Sequence, residues 1–238
     1  MGEENNMLVV KKFGGTSVAD KERIMNVAKR CIRDYQSGND VVVVLSAMGK
    51  QTDVLIEMAQ DINPKPPKRA MDMLLTTGEQ TSVALMEMAM AALGVPAVSL
   101  NAFQVAMHTT SAYGNARLKR IDTERIRHEL DQRKIVIVTG FQGVNKYDDY
   151  TTLGRGGSDT TAVALAAALH ADASAEARRV YPGSPWFPLT AAWPYRVPAP
   201  RHLPAARGRK ARMHCPQPDG ESAASPHPVR RRRSDNSH

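Results

Sequence analysis

Residues 41–45 read VVVVL and residues 135–139 read IVIVT. A branched run without polar alternation offers no side to solvent, so each suits a strand buried on both faces, as in a parallel sheet. Stretches of helical period lie between these runs. Ile24, Val27, Ala28, Cys31, Ile32 and Tyr35 recur at steps of three and four after Ser17-x-x-Asp20, a capping pattern of the Ser/Thr-x-x-acid kind. Leu55, Ile56, Ala59 and Ile62 mark a second helix, closed by Pro64, Pro66 and Pro67. Residues 70–93 are Met- and Ala-rich and helical in character, with a break expected at Gly78; Met86, Met88 and Met90 within them read as core filling. Residues 8–13 and 95–100 suit strands, 123–133 an amphipathic helix, and 158–171 a helix with a polar cap. Strands alternating with helices specify an α/β fold, a mostly parallel sheet covered by helices on both faces.

The pattern stops after Asp172. Of the 15 prolines, 11 lie from Pro182 onward, as do both tryptophans. Residues 172–238 carry a net charge of +7 and residues 1–171 only +1, so the overall +8 describes a tail rather than a body. The division expected is a folded region over 1–171 and, over 172–238, a disordered or out-of-frame segment that cannot bury enough apolar surface to order itself. The tail's RRRR run can meet phosphates without specificity. No aromatic residues interleave with it, which argues against a nucleic-acid stacking platform. Cys31 and Cys215 lack metal-type spacing, the histidines do not cluster, and Cys31 reads as a buried, inert thiol. No apolar run approaches the roughly 18 residues that a membrane span needs. The acidic start, MGEENN, lacks the apolar core of a signal peptide. A soluble cytoplasmic protein without a membrane partner is therefore expected, with homo-oligomerisation left open.

Three glycine-bearing loops fall at strand ends or helix starts, where open α/β sheets bind ligands. The first, Lys12-Phe13-Gly14-Gly15-Thr16-Ser17, lets backbone amides and an ammonium approach phosphate oxygens. It lacks the G-x-x-x-x-G-K-[ST] spacing, and alone it reads equally as a tight turn. The second runs from Ser46 to Thr52, with a hydroxyl at each end for a polar ligand or for capping the next helix. The third, Thr151 to Thr161, sets three glycines and Arg155 before a helix whose first turn carries Ser158 and Asp159. Such a helix start suits an anion, and arginine can grip a carboxylate with two parallel hydrogen bonds. A flexible capped loop is the alternative. Glu79 either binds an ammonium group or is an ordinary surface glutamate.

Together these segments resemble the amino-acid-kinase superfamily and, within it, the aspartate kinases. The likeness rests on KKFGGTSV at 11–18, VVVVLSAMGKQTD at 41–53, MLLTTGEQTS at 73–82, GNAR at 114–117, VTGFQGVN at 138–145 and TTLGRGGSDTTAVALAAAL at 151–169. It covers residues 7–171 in the family's order, and TTLGRGGSDTTA separates aspartate kinases from acetylglutamate, uridylate and glutamate kinases. The resemblance implies a carbamate-kinase-like fold and phosphoryl transfer from ATP, with Mg2+, to the side-chain carboxylate of L-aspartate. The product would be 4-phospho-L-aspartate, on the way to lysine, threonine and methionine. By the same resemblance Lys12 neutralises the transferring phosphoryl group, Gly14 and Gly15 give backbone contacts, and Asp159 is a second catalytic residue. Ser46 and Thr52 contact substrate and phosphate. Glu79 takes the amino group, Arg155 a carboxylate, Ser158 and Asp159 complete that pocket, and Phe141 lies in the substrate-side loop. No metal ligand from the protein is implied. The resemblance stops near residue 171, before the family's TDVDG-type nucleotide loop and its ACT domains. The expectation is an incomplete catalytic domain that keeps more of the aspartate pocket than of the adenine pocket, with activity the open point. Two rival readings remain: another small-molecule kinase of the superfamily, and a non-catalytic protein with a basic tail.

Overall fold

The computed structural model describes residues 7–176, so the disorder expected beyond them lies outside the described residues. In chain order the elements are β1 (Leu8–Phe13), a 3-10 turn (Gly15–Val18), α1 (Lys21–Gln36), β2 (Asp40–Leu45), α2 (Gln51–Ile62), α3 (Lys68–Ala92) and β3 (Ala97–Leu100). Then follow β4 (His108–Thr109), β5 (Leu118–Arg120), α4 (Glu124–Asp131), β6 (Ile135–Thr139), β7 (Gln142–Val144), β8 (Tyr150–Thr152), α5 (Gly157–Leu169) and β9 (Ala173–Glu176). Five strands form a wholly parallel sheet in the order β3-β6-β2-β1-β9.

The valine run divides its side chains between two cores. Val42 and Val44 join Val10, Val136 and Val138 against Ile126 and Leu130 of α4 and Leu165 and Leu169 of α5. Val41, Val43 and Leu45 join Ile135 and Ile137 against Val27 and Cys31 of α1 and Met86 and Met90 of α3. All five residues from Val41 to Leu45 have no exposed surface. At about 1.5–3 kcal/mol for a fully buried aliphatic side chain, these runs carry much of the burial energy, which explains why polar residues are confined to their ends. Cys31 lies in the same core, where burial pushes its thiol up to about 12, an inert group as expected.

Several expectations are corrected. Asp20, not Ser17, caps α1: its carboxylate accepts the Arg23 N–H at 2.9 Å, whereas Ser17 lies in the 3-10 turn. Gly78 does not interrupt its helix, because α3 runs unbroken for 25 residues. Met86 and Met90 are buried, but Met88, a half-turn away from each, is 65% exposed. Regular structure also continues past Ala171. Ala173–Glu176 contains no β-branched residue, yet it pairs with β1 from Val9↔Ala173 to Lys12↔Glu176, so pairing rather than propensity makes it a strand. The sequence pattern gave no sign of a second, mixed sheet, β5-β4-β7-β8, whose strands are only two or three residues long. Among the described residues no helix is long and apolar enough to cross a membrane.

Candidate active site

Register brings the first two loops beside the segment that follows β6. Phe13 pairs with Leu45 and Leu45 with Thr139, so β1, β2 and β6 end side by side and the chain leaves the sheet at Gly14, Ser46 and Gly140. The exits are tied together: Ser46 N–H donates to the Phe13 carbonyl (3.1 Å), Gly140 N–H to that of Leu45 (2.9 Å) and Gly49 N–H to that of Gly15 (3.0 Å). A Cβ on Gly15 would lie 2.5 Å from the Ala47 carbonyl oxygen, so glycine is demanded here by loop packing as well as by any ligand. Gly14 is extended and its carbonyl accepts the Ser17 N–H at 2.8 Å.

Lys12 closes the first loop onto the third. Its ammonium, on a residue only 6% exposed, is ion-paired with Asp159 in the first turn of α5. The helix approaches closely because Gly140 has no side chain; a Cβ there would lie 2.5 Å from the Ser158 hydroxyl. Ser158 is itself buried. Phe141 bridges the same junction, its N–H donating to the Thr161 hydroxyl (3.1 Å) and its carbonyl accepting the Leu153 N–H (2.9 Å). It does so at φ 70, a left-handed conformation that costs a non-glycine residue on the order of 1–3 kcal/mol and persists where surrounding bonds impose it. Arg155 is exposed on the turn before α5, and its side chain makes no hydrogen bond or ion pair with a described residue.

The third component is α3. Glu79 is 4% exposed; its Oε1 accepts the Ala47 N–H at 3.0 Å and its Oε2 has no hydrogen-bond partner among the described residues. Burial pushes this carboxyl up to about 7, against the opposing pull of the Ala47 N–H. A Cβ on Gly78 would lie 2.9 Å from that of Ala47, so the glycine read as a helix breaker instead lets α3 press Glu79 against the loop after β2. On the same face, the Thr76 carbonyl accepts from Gln142 (2.6 Å), whose amide oxygen accepts the Thr139 hydroxyl (3.0 Å).

Asp72, another residue of this face, was missed in the sequence. It is 1% exposed; Oδ2 accepts the Gly114 N–H (2.9 Å) and Thr152 N–H (3.0 Å), and Oδ1 accepts the Thr152 hydroxyl (2.9 Å). Burial raises its pKa while those bonds oppose the rise. The signal was available: carboxylates seven residues apart, at 72 and 79, share a helix face, and that face is otherwise mostly apolar. Ser46 and Thr52 are both half-buried, and neither caps α2, whose N-cap position, Lys50, has no side-chain bond. Of the expected site residues, the described contacts join Lys12 with Asp159, Gly15 and Glu79 with the loop after Ser46, and Phe141 and Ser158 at the start of α5. They leave the Arg155 side chain outside these contacts. Among the described residues no group of three or more His, Cys, Asp or Glu side chains could hold a metal ion.

Comparison with known proteins gives a consistent result. The family described as "Amino acid kinase family" matches residues 7–175. An aspartokinase of Geobacillus stearothermophilus is 59% identical over 165 residues, 69% of this chain and 40% of that one. The crystal structure of aspartate kinase from Synechocystis superposes with a TM-score of 0.63 at 50% identity, over 71% of this chain and 27% of the other. That of E. coli aspartokinase III in complex with aspartate and ADP gives 0.64 at 26% identity, over 71% and 48%. The chain spans about 40% of the length of the curated relatives it matches.

Proposed function

The chain belongs to the amino acid kinase family, and on that footing we propose that its site binds L-aspartate and ATP and transfers the γ-phosphoryl group to the aspartate side chain. One observation carries the choice of substrate. Glu79 is a buried carboxyl with one oxygen fixed by the Ala47 N–H and the other without a partner among the described residues, an arrangement suited to a substrate ammonium group. An N-acetylated amino acid offers no such cation, so a free amino acid is favoured over the acetylated substrates of related kinases. The complex of E. coli aspartokinase III with aspartate and ADP supports the same pair of ligands.

In this reading a side-chain carboxylate oxygen of the substrate attacks the γ-phosphorus, the bond to the β,γ-bridging oxygen breaks, and ADP leaves. No protein nucleophile is needed, and catalysis is positioning plus electrostatic stabilisation. Lys12 counters charge on the phosphoryl oxygens while Asp159 holds its ammonium at the loop. The amides at Gly14 and Gly15 and the N-terminus of α5 face the same anions. Arg155 closes on a substrate carboxylate, with Ser158 lining the pocket, and Ser46, Thr52 and Phe141 complete it. Mg2+ accompanies the nucleotide, which such ions bind chiefly through phosphate oxygens and water. The product, 4-phospho-L-aspartate, belongs to the cytoplasmic route to lysine, threonine and methionine.

Calorimetric titration of the full chain with L-aspartate and with Mg-ATP, joined to an assay of ADP release, tests this. Aspartate should bind, and Glu79→Gln should abolish its heat. A wild-type chain that takes N-acetyl-L-glutamate or UMP in preference to aspartate, or an unaffected Glu79→Gln, would overturn it. Since the matched region is a minority of each relative's length, ATP affinity is a separate arm of the titration.

A further inference from the structure

We propose that Asp72 is a positioning residue for the substrate pocket, holding the backbone of the Arg155 loop at a set distance from Glu79 by way of α3. The inference rests on the reading of the site as an aspartate pocket, and it concerns a residue that touches no ligand in that reading. Four chain segments hang from one face of one helix. Glu79 holds Ala47, the Thr76 carbonyl holds Gln142, and Asp72 holds Gly114 and Thr152. Seven residues of unbroken helix separate the two carboxylates, about 10 Å along the axis.

Asp72 fixes the N-terminal flank of the Arg155 loop and the turn against which the loop packs. Its bonds to Thr152 set the residue from which the loop leaves β8, and Thr152 in turn accepts the Ala116 N–H at 2.8 Å. Its bond to Gly114 sets the turn on which the loop rests: a Cβ on Gly154 (φ +77) would lie 3.0 Å from Asn115 Oδ1 and 3.5 Å from the Gly114 carbonyl oxygen. Leu153 N–H is held by Phe141, and Gly157 N–H donates to Gly154 at 3.0 Å. The backbone on either side of Arg155 is therefore tethered while its side chain is left exposed for a partner. A small displacement of such a residue matters, because errors of about 1 Å in a positioned group can cost as much as 100-fold.

Geometry, not charge, is what this role requires. An asparagine at 72 could accept both N–H groups with its carbonyl and donate to the Thr152 hydroxyl, keeping all three bonds. An alanine keeps none. The test measures amide hydrogen exchange and L-aspartate affinity in the full chain for wild type, Asp72→Ala, Asp72→Asn and Thr152→Val. Asp72→Ala should speed exchange at Leu153–Gly157 and weaken aspartate binding, each by about tenfold or more. Asp72→Asn should stay within about threefold of wild type in both. Thr152→Val, losing only the hydroxyl bond, should move the same way by less, and it decides the matter if Asp72→Ala fails to fold. Three results would overturn the proposal: unchanged loop exchange and affinity, an Asn variant as impaired as Ala, or exchange that rises equally in β2 and in the loop. The last would make Asp72 merely a stabilising residue. If the wild-type chain takes up no aspartate, the substrate reading fails, yet the exchange comparison still decides what Asp72 holds.

Discussion

Lys12, at the end of β1, and Asp159, in the first turn of α5, form an ion pair that joins the first glycine loop to the third. The lysine side chain is 7% exposed and that of the aspartate 48%, so the lysine is the partner with more to lose. Asp159→Asn should destabilise the fold by about 1 kcal/mol, toward the surface-pair end of the range because Asp159 is half open to water. Urea unfolding of Lys12→Met, Asp159→Asn and the double variant measures the coupling. Strict additivity of the two single effects would show that the pair contributes nothing.

Glu79 makes ligand binding and stability depend on pH in opposite senses. An ammonium ligand needs the ionised carboxylate, so aspartate affinity should fall as pH drops below about 7, and binding at pH 6 should release a proton. Stability runs the other way. The folded carboxyl titrates near 7 and the unfolded one near 4.5, so between those values the folded state holds the extra proton. Stability of the empty protein from this group is lost as pH rises through that window, by up to roughly 3 kcal/mol. Glu79→Gln should therefore raise the melting temperature at pH 8 and leave it nearly unchanged at pH 4.5. Equal melting curves for the two proteins at pH 8 would contradict this account.

Arg155 separates binding from folding. With an exposed side chain that makes no hydrogen bond or ion pair with a described residue, its replacement by Ala should alter stability by less than about 0.5 kcal/mol. Losing a charge-assisted, two-pronged contact should cost aspartate binding about 2–3 kcal/mol. Calorimetry and a denaturation curve on the same preparation check both halves. A variant that binds aspartate normally removes Arg155 from the site.

Gly78 sets two effects against each other. Replacing a mid-helix glycine by alanine ordinarily gains about 1 kcal/mol. Here the new methyl would lie 2.9 Å from Ala47 Cβ, and overpacking costs about 1–3 kcal/mol. Gly78→Ala should thus be net destabilising and should weaken aspartate binding by displacing Glu79. Adding Ala47→Gly should recover the stability. A single variant more stable than wild type would sink the packing argument.

Legibility in the sequence followed the size of the energetic signal. β2 and β6 were plain because burial on both faces confines polar residues to their ends, and the helices were plain because one face of each must be apolar. β7 and β8 were not, since three-residue strands such as Gln142–Val144 are specified by their neighbours rather than by a period. Glycine misled at position 78, where its use is to admit Ala47 rather than to end a helix. The loops carrying Lys12, Ser46 and Arg155 were legible as glycine-bearing segments at strand ends or helix starts, and Glu79 was legible as a candidate carboxylate but not as a buried one. Asp72 escaped because it sits outside any loop, although its spacing from Glu79 had placed it on the right face.

The valine run has a consequence of its own for how the chain finds its fold. A slip of two residues along β1 would exchange valine for valine at the centre of both faces, so the core itself hardly distinguishes the right alignment from the wrong one. The distinction is held at the margins, where Asp40 meets Arg133 at 2.8 Å and the Leu45 carbonyl receives Gly140. A fully buried strand of so uniform a sequence is thus poorly able to spell out its own position. Its address is written in an ion pair at one end and a backbone hydrogen bond at the other.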